Sequence, residues 1–293
     1  MDEGGLSLRI VKSILRERLL DFLKEDLGMA DITTEAIVPD EVKAQAQIIV
    51  KEDAVIAGLY EASILFGMID ASFQTKVEDG AEVSSGTVLA EISGKARDIL
   101  SVERTALNIL MRMSGIATLT RKLVKMIREA GLDVRVAATR KTAPGLRFFD
   151  KKAVMIGGGD PHRFRLDDAI LIKDNHIRIA GGIKEAIRRA RLATSFSKKI
   201  EVEAQTEEEA LEAANLGADI IMLDNMTLDE AERTLKKLQD AGLRNSVLIE
   251  ISGGISENNL LDYARLKPDV ISLGFLTHSV KAVDISLEVT EVR

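Results

Sequence analysis

Between Val134 and Leu273 the chain repeats one pattern, a short apolar run followed by an amphipathic stretch. The apolar runs are Val134–Ala138, Ala169–Ile172, Ile200–Ala204, Ile220–Leu223, Val247–Ile251 and Val270–Leu273. Of the intervening stretches, Ile183–Leu192, Glu207–Leu216, Leu228–Ala241 and Asn258–Leu266 have helical periodicity, and several end at Gly or Pro. Strands that alternate with helices cannot close as hairpins, so they lie parallel, each helix crossing over the sheet. This rhythm predicts an incomplete α/β barrel of about six parallel strands. A doubly wound sheet is the main alternative, but no glycine-rich dinucleotide fingerprint follows the first strand.

The residues before the repeat read differently. Leu6–Leu27 has helical spacing, carried by Leu15, Leu19, Phe22 and Leu23. Runs at Ala46–Val50, Val55–Ala57 and Thr87–Ile92 predict strands, with turns at Gly58, Asp79-Gly80 and Ser84-Ser85-Gly86. Val77–Val83 and Gly86–Ala90 together resemble half of a biotinyl- or lipoyl-type barrel sandwich. No modifiable lysine sits at the tip, so a hairpin used as scaffold is expected. Ser101–Gly131 predicts a long helix, bent or interrupted at Ser114-Gly115. The expected organisation is an N-terminal mixed α/β sandwich domain at 1–115 and a barrel domain at 116–275. Residues 276–293 are expected to pack back on the first domain.

Composition narrows the chemistry. The 293 residues include no cysteine, which excludes disulfides, a thiol nucleophile, cysteine-held zinc and iron–sulfur clusters. A net charge of −7 argues against a general nucleic-acid coat. Yet Thr139–Arg165 is net +5, from Arg140, Lys141, Arg147, Lys151, Lys152, Arg163 and Arg165 against Asp150 and Asp160. No basic region followed by an apolar core opens the chain, and no apolar run approaches the roughly 20 residues that span a bilayer. A soluble, cytoplasmic protein with no membrane partner is expected.

In α/β barrels the carboxyl ends of the strands carry the active site. Here those ends read Thr139-Arg140-Lys141-Thr142, Lys173-Asp174-Asn175-His176, Glu203, Asp224-Asn225, Ser252-Gly253-Gly254 and Gly274. Arg140, Arg163 and Lys173 suit a carboxylate or phosphate, arginine being favoured for bidentate recognition of carboxylates. Lys151, Lys152 and Arg165 read as solvated surface charges. Ser252-Gly253-Gly254 before a helix, with Gly274 one unit later, matches the common barrel phosphate site. Glu203 and Asp224, on neighbouring strands, suit Mg²⁺, acid–base work or an ion pair to a nearby lysine. The histidines His162, His176 and His278 have no compact metal spacing, so anion binding is expected, at least for His162 beside Arg163.

Ordered motifs along nearly the whole chain strengthen this reading. They are Asp31-Ile32-Thr33-Thr34, Glu103–Asn108, Ala138–Thr142, Gly157-Gly158-Gly159 through His162-Arg163, and Ile172–His176. Glu201-Val202-Glu203, Leu223-Asp224-Asn225, Ser252–Ile255 and Leu276–Ser279 complete the series. Together they resemble the quinolinate phosphoribosyltransferase family, the decarboxylating nicotinate-nucleotide pyrophosphorylases of NAD biosynthesis. The resemblance implies transfer of phosphoribosyl from phosphoribosyl pyrophosphate to quinolinate with Mg²⁺, giving nicotinate mononucleotide, pyrophosphate and CO2. It implies a quinolinate pocket of Arg104, Arg140, Lys141, His162, Arg163 and Lys173, with Lys141, Glu203 and Asp224 as catalytic groups. Glu203 and Asp224 would serve Mg²⁺ and the phosphoribosyl group, which Lys173 also reaches. Ser252, Gly253, Gly254, Gly274 and His278 would hold its phosphate. It further implies a homodimer or larger assembly in which Arg104 enters the neighbouring subunit's site.

One motif departs from the family. Where many relatives have a further Gly and an Asn before the His-Arg pair, this chain has Asp160-Pro161. A different loop path, a different set of neighbours for His162, or a weakened cationic field is expected. Rival readings are a phosphoribosyltransferase-like paralogue of molybdate-transport operons and a phosphosugar aldolase or isomerase using Lys141 or Lys173 covalently.

Overall fold

The computed structural model describes residues 10–293, so Leu6–Arg9 of the expected first helix lie outside the described residues. The chain divides into two units. The first takes residues up to Arg121, then Phe148–Gly158 and Ser279–Arg293; the second takes Lys122–Arg147 and Gly159–His278. None of the described helices is long and apolar enough to cross a membrane.

In the first unit, helix α1 (Lys12–Leu27) buries Leu15, Leu19 and Leu23, spaced to share one face. Asp31 caps α2 (Ile32–Ile37), accepting the Thr34 N–H at 3.0 Å, so this motif has a local structural role. Strand β1 (Lys43–Val50) alternates, burying Ala44, Ala46, Ile48 and Val50 on one face. Then come β2 (Ala54–Val55), α3 (Leu59–Gly67), β3 (Ser72–Thr75), β4 (Glu82–Val83), β5 (Val88–Lys95) and α4 (Ala96–Glu129), whose residues from Lys122 belong to the second unit. The C-terminal strand Ile285–Val292 pairs with β1, giving an antiparallel sheet in which β1 is followed by β5 and then β3.

The structure corrects several expectations here. The two arms of the expected hairpin do not pair with each other: β4 pairs with β2, whereas β5 joins β1 and β3. Helix α4 runs through Ser114-Gly115 without interruption. The glycine serves close approach, since a Cβ there would collide with the Lys281 carbonyl. Lys151 and Lys152 are not surface charges. Lys151 is wholly buried, and Lys152 Nζ lies 2.8 and 3.0 Å from the carboxylate oxygens of Glu61, itself wholly buried on α3. Arg165 is exposed, as expected.

The second unit contains β6 (Arg135–Ala137), followed by α5 (Arg147–Ile156), whose residues from Phe148 belong to the first unit. It continues with β7 (Ile170–Ile172), α6 (Asp174–Ala180), α7 (Ile183–Ala193), β8 (Ile200–Ala204), α8 (Glu207–Asn215), β9 (Ile220–Asp224) and α9 (Leu228–Asp240). Strand β10 (Leu248–Ser252), α10 (Leu260–Arg265), β11 (Val270–Ser272) and α11 (Phe275–His278) complete it, before β12 (Ile285–Val292) returns to the first unit. Helices α8 and α9 begin at Thr206 and Thr227, whose hydroxyls accept the N–H groups of Glu209 and Glu230.

The sheet order is β6-β11-β10-β9-β8-β7, every pairing parallel. Each strand lies beside its successor except β6 and β7, where the sheet is open. That is the order of a barrel lacking its full complement of strands, as the sequence predicts. On the β6 edge, Asp160 adds a single parallel bridge to Ala137.

Candidate active site

The parallel topology points every strand's carboxyl end the same way, and there a cavity of about 390 Å³ opens. The loop after β6 contributes Thr139, Arg140 and Lys141, and the Asp160 loop contributes His162 and Arg163. Lys173 follows β7, Glu203 comes from β8, Asp224 and Asn225 from the end of β9, Glu250 and Ser252 from β10, and Ser272 from β11. The pocket therefore gathers Arg140, Lys141, His162, Arg163, Lys173, Glu203, Asp224 and Ser252 of the expected residues. Arg104 is exposed on α4 in the first unit and is not among the lining residues.

Gly253, Gly254, Gly274 and His278 are not among the residues that line the cavity. A Cβ on Gly274 would fall 3.1 Å from the His278 ring and 3.2 Å from Lys141 Cδ, so these three residues converge. Gly253 and Gly254 have φ of +86° and +64°, conformations that favour glycine. The Gly253 position is closed by the Asn225 amide, against which a Cβ would collide. One expectation fails here. Helix α10 starts only at Leu260, after Asn259, so its N-terminus does not adjoin Gly253-Gly254.

The pocket's charges are arranged unevenly. Lys173 Nζ pairs with Glu203, while Asn225 Nδ2 donates to Asp224 Oδ2 at 2.9 Å. Arg163 Nη1 donates to the Ala169 carbonyl at 3.1 Å. Burial first, then the positive charge of Arg140, lowers the Arg163 pKa from its ordinary value. Among the described residues, Arg140 Nε is buried without a hydrogen-bond acceptor. A buried guanidinium N–H with no partner is costly unless a ligand supplies one.

Beneath this layer lies a group that sequence reasoning missed as a site. Glu201 and Glu250 are each 1% exposed, and His162 Nε2 stands 2.9 Å from Glu250 Oε2 and 3.7 Å from Glu201 Oε2. Burial, reinforced by the Glu250 charge, pushes the Glu201 carboxyl up to about 8, against the pull of His162 and Arg163. One ligand atom from each of His162, Glu201 and Glu250 falls within 4.8 Å of the others, a compact set that sequence spacing concealed. The 2.9 Å contact is an ordinary hydrogen-bond length, and the group reads as joined by a proton. The available signal was an acid inside each apolar strand, Ile200-Glu201-Val202 and Ile249-Glu250-Ile251, because unpaired acids are rarely fully buried.

The Asp160-Pro161 departure also acquires a role. The Asp160 N–H donates to the Val136 carbonyl at 2.8 Å, and its own carbonyl accepts the Ala138 N–H at 2.9 Å. Its Oδ1 accepts the His162 N–H at 2.7 Å. The acid is thus engaged in holding the loop on the β6 edge.

Fold and pocket define an α/β-barrel protein with a cavity at the carboxyl ends of its strands that Arg140, Lys141, Arg163 and Lys173 line. Comparison with known proteins narrows the class. Residues 31–114 match the N-terminal domain, and residues 116–288 the C-terminal domain, of quinolinate phosphoribosyl transferase. A Methanothermobacter thermautotrophicus protein named probable nicotinate-nucleotide pyrophosphorylase [carboxylating] is 47% identical over 269 residues, covering 92% of this chain and 96% of its own. The human nicotinate-nucleotide pyrophosphorylase [carboxylating] is 36% identical over 288 residues, covering 98% and 96%. The crystal structure of NadC from Streptococcus pyogenes superposes with a TM-score of 0.89 at 38% identity, covering 97% of this chain and 100% of that one. The chain belongs to the quinolinate phosphoribosyl transferase family.

Proposed function

We propose that this protein transfers phosphoribosyl from phosphoribosyl pyrophosphate to quinolinate with decarboxylation, giving nicotinate mononucleotide, pyrophosphate and CO2 in NAD biosynthesis. Beyond family membership, the observation that carries this reading is Arg140. Its buried Nε has no acceptor among the described residues, in a pocket shared with Arg163, Lys141 and Lys173. A planar dicarboxylate supplies such acceptors.

In this reading Arg140 and Arg163 neutralise the two quinolinate carboxylates and aim the ring nitrogen at the ribose C1 carbon. Lys141 and Lys173 add positive charge, and His162 acts from within the loop that carries Arg163. As the nitrogen attacks, the bond from C1 to pyrophosphate breaks, and Glu203 and Asp224 favour the positive charge developing on the ribose. The ring is then a pyridinium. The electron pair released when its adjacent carboxylate leaves as CO2 flows into that ring, and a proton takes the vacated position. No lysine Schiff base is needed. Ser252, Gly253, Gly254, Gly274 and His278 form the phosphate end.

Glu203 and Asp224 are hard oxygen donors lining one pocket, a set suited to Mg²⁺ completed by substrate oxygens. When bound, Mg²⁺ supplies charge neutralisation for the departing pyrophosphate. We read the active assembly as a cytoplasmic homodimer in which Arg104 serves the neighbouring copy's pocket. Its exposure outside this chain's own pocket lining supports that assignment.

The test is incubation with quinolinate, phosphoribosyl pyrophosphate and Mg²⁺, following nicotinate mononucleotide. Product is expected, and its absence across temperature and pH overturns the reading. Heterodimers mixing Arg104→Ala with Lys141→Ala subunits should recover activity that neither parent shows.

A further inference from the structure

His162 is expected to meet a ligand anion directly, yet its ring is turned to other uses. Nδ1 accepts the Arg163 N–H at 2.8 Å, so the ring proton sits on Nε2, and Nε2–H donates to Glu250 Oε2 at 2.9 Å. Both ring nitrogens are thus engaged within the protein. The backbone is constrained as well. His162 has φ +52°, a left-handed conformation disfavoured for any residue with a Cβ. It is held there by the Asp160 carboxylate above and the Glu250 contact below. The imidazole is a strut. One end stands on the middle of β10, and the other on the peptide that carries Arg163.

We propose that Glu250 is a positioning residue, fixing through the His162 imidazole where the Arg163 guanidinium stands in the pocket. The proposal rests on the reading of that pocket as a dicarboxylate site. Glu201, at 3.7 Å from Nε2, is beyond hydrogen-bond reach and is not part of the strut. What Glu250 must supply is an acceptor, so glutamine can replace it, while alanine cannot.

Two measurements test this separately. In steady-state assays, Glu250→Ala should raise the quinolinate KM about tenfold or more and leave the phosphoribosyl pyrophosphate KM within about threefold of wild type. Glu250→Gln should restore the quinolinate KM to within about threefold. A folded Glu250→Ala protein with an unchanged quinolinate KM overturns the proposal. So does a Gln variant as impaired as Ala, or equal losses for both substrates.

The second measurement needs no turnover. With only three histidines, His162, His176 and His278, ¹⁵N imidazole spectra can be assigned using a His162→Asn variant. The His162 ring should carry its proton on Nε2 in the wild type and lose that fixed tautomer in Glu250→Ala. A proton on Nδ1 in the wild type removes the strut, whatever the enzyme does. If the wild type makes no nicotinate mononucleotide but shows the expected tautomer, the functional reading fails and the strut stands.

Discussion

Each unit buries carboxyl groups against a nitrogen base, and the two burials are completed differently. In the first unit both Glu61 oxygens meet the Lys152 ammonium, and Asp79 nearby accepts the Leu59 N–H at 3.0 Å. In the second, Glu201 Oε1 and Glu250 Oε1 are buried without hydrogen-bond partners among the described residues, below a pocket whose Arg140 Nε is equally unmatched. The first group is a closed ion pair that holds α5 to α3. The second is polar on a face that remains open. A buried charge whose oxygens are all met serves the architecture, whereas buried polar atoms left unmet beside a cavity mark where a ligand belongs.

Cutting each cluster should separate the two roles. The largest effect is expected from Lys152→Met, which strands a fully buried Glu61. Denaturant unfolding should show a loss of about 3–5 kcal/mol, while kcat/KM of the remaining folded protein is unchanged. Arg140→Ala should do the reverse. It should lower kcat/KM by the equivalent of about 2–4 kcal/mol and leave the unfolding midpoint nearly unmoved. If Lys152→Met lost catalysis instead of stability, the contrast between the two clusters would collapse.

Taken per pH unit, a smaller effect comes from pH. The Glu201 carboxyl is raised from 4.5 to about 8 on folding, so between those values the folded protein holds a proton that the unfolded chain releases. Its contribution to stability is full below the lower value and is lost as pH rises towards the upper one. Glu201→Gln should flatten the fall of unfolding free energy over this window by up to about 1.4 kcal/mol per pH unit. Burial raises Glu61 in the same direction, and that group is present in both proteins, so the difference reports Glu201 together with the Glu250 charge that helps to raise it. The smallest effect is expected at Arg165, exposed and outside both clusters. Arg165→Ala should stay within about 0.5 kcal/mol in stability.

The alternation of apolar runs and helices made the barrel legible, because a βαβ unit is local and its period survives in one dimension. The polar residue at each strand end was legible for the same reason, and most of them meet in one cavity. What escaped was pairing at long range. Lys152 meets Glu61 across 91 residues and His162 meets Glu250 across 88, and nothing near either residue announces its partner. A basic run such as Lys151-Lys152 has the same composition whether water or a distant acid receives it. The helix within Ser101–Gly131 was visible, but Gly115 signals a break and a close approach with the same letter. Only the Lys281 carbonyl beside it decides between them.

The return of β12 to β1, running from Ala44↔Val292 to Val50↔Ile285, sets an order of assembly. As the ribosome delivers the chain, the first unit is left waiting for its edge strand while the whole barrel emerges. Helix α5, which carries Lys152 to Glu61, also arrives only after α4 and β6. The barrel can therefore complete its sheet first, and the part made earliest is finished last. Joining the β12 segment ahead of β1 in a circular permutant would reverse that order without changing a contact in the sheet.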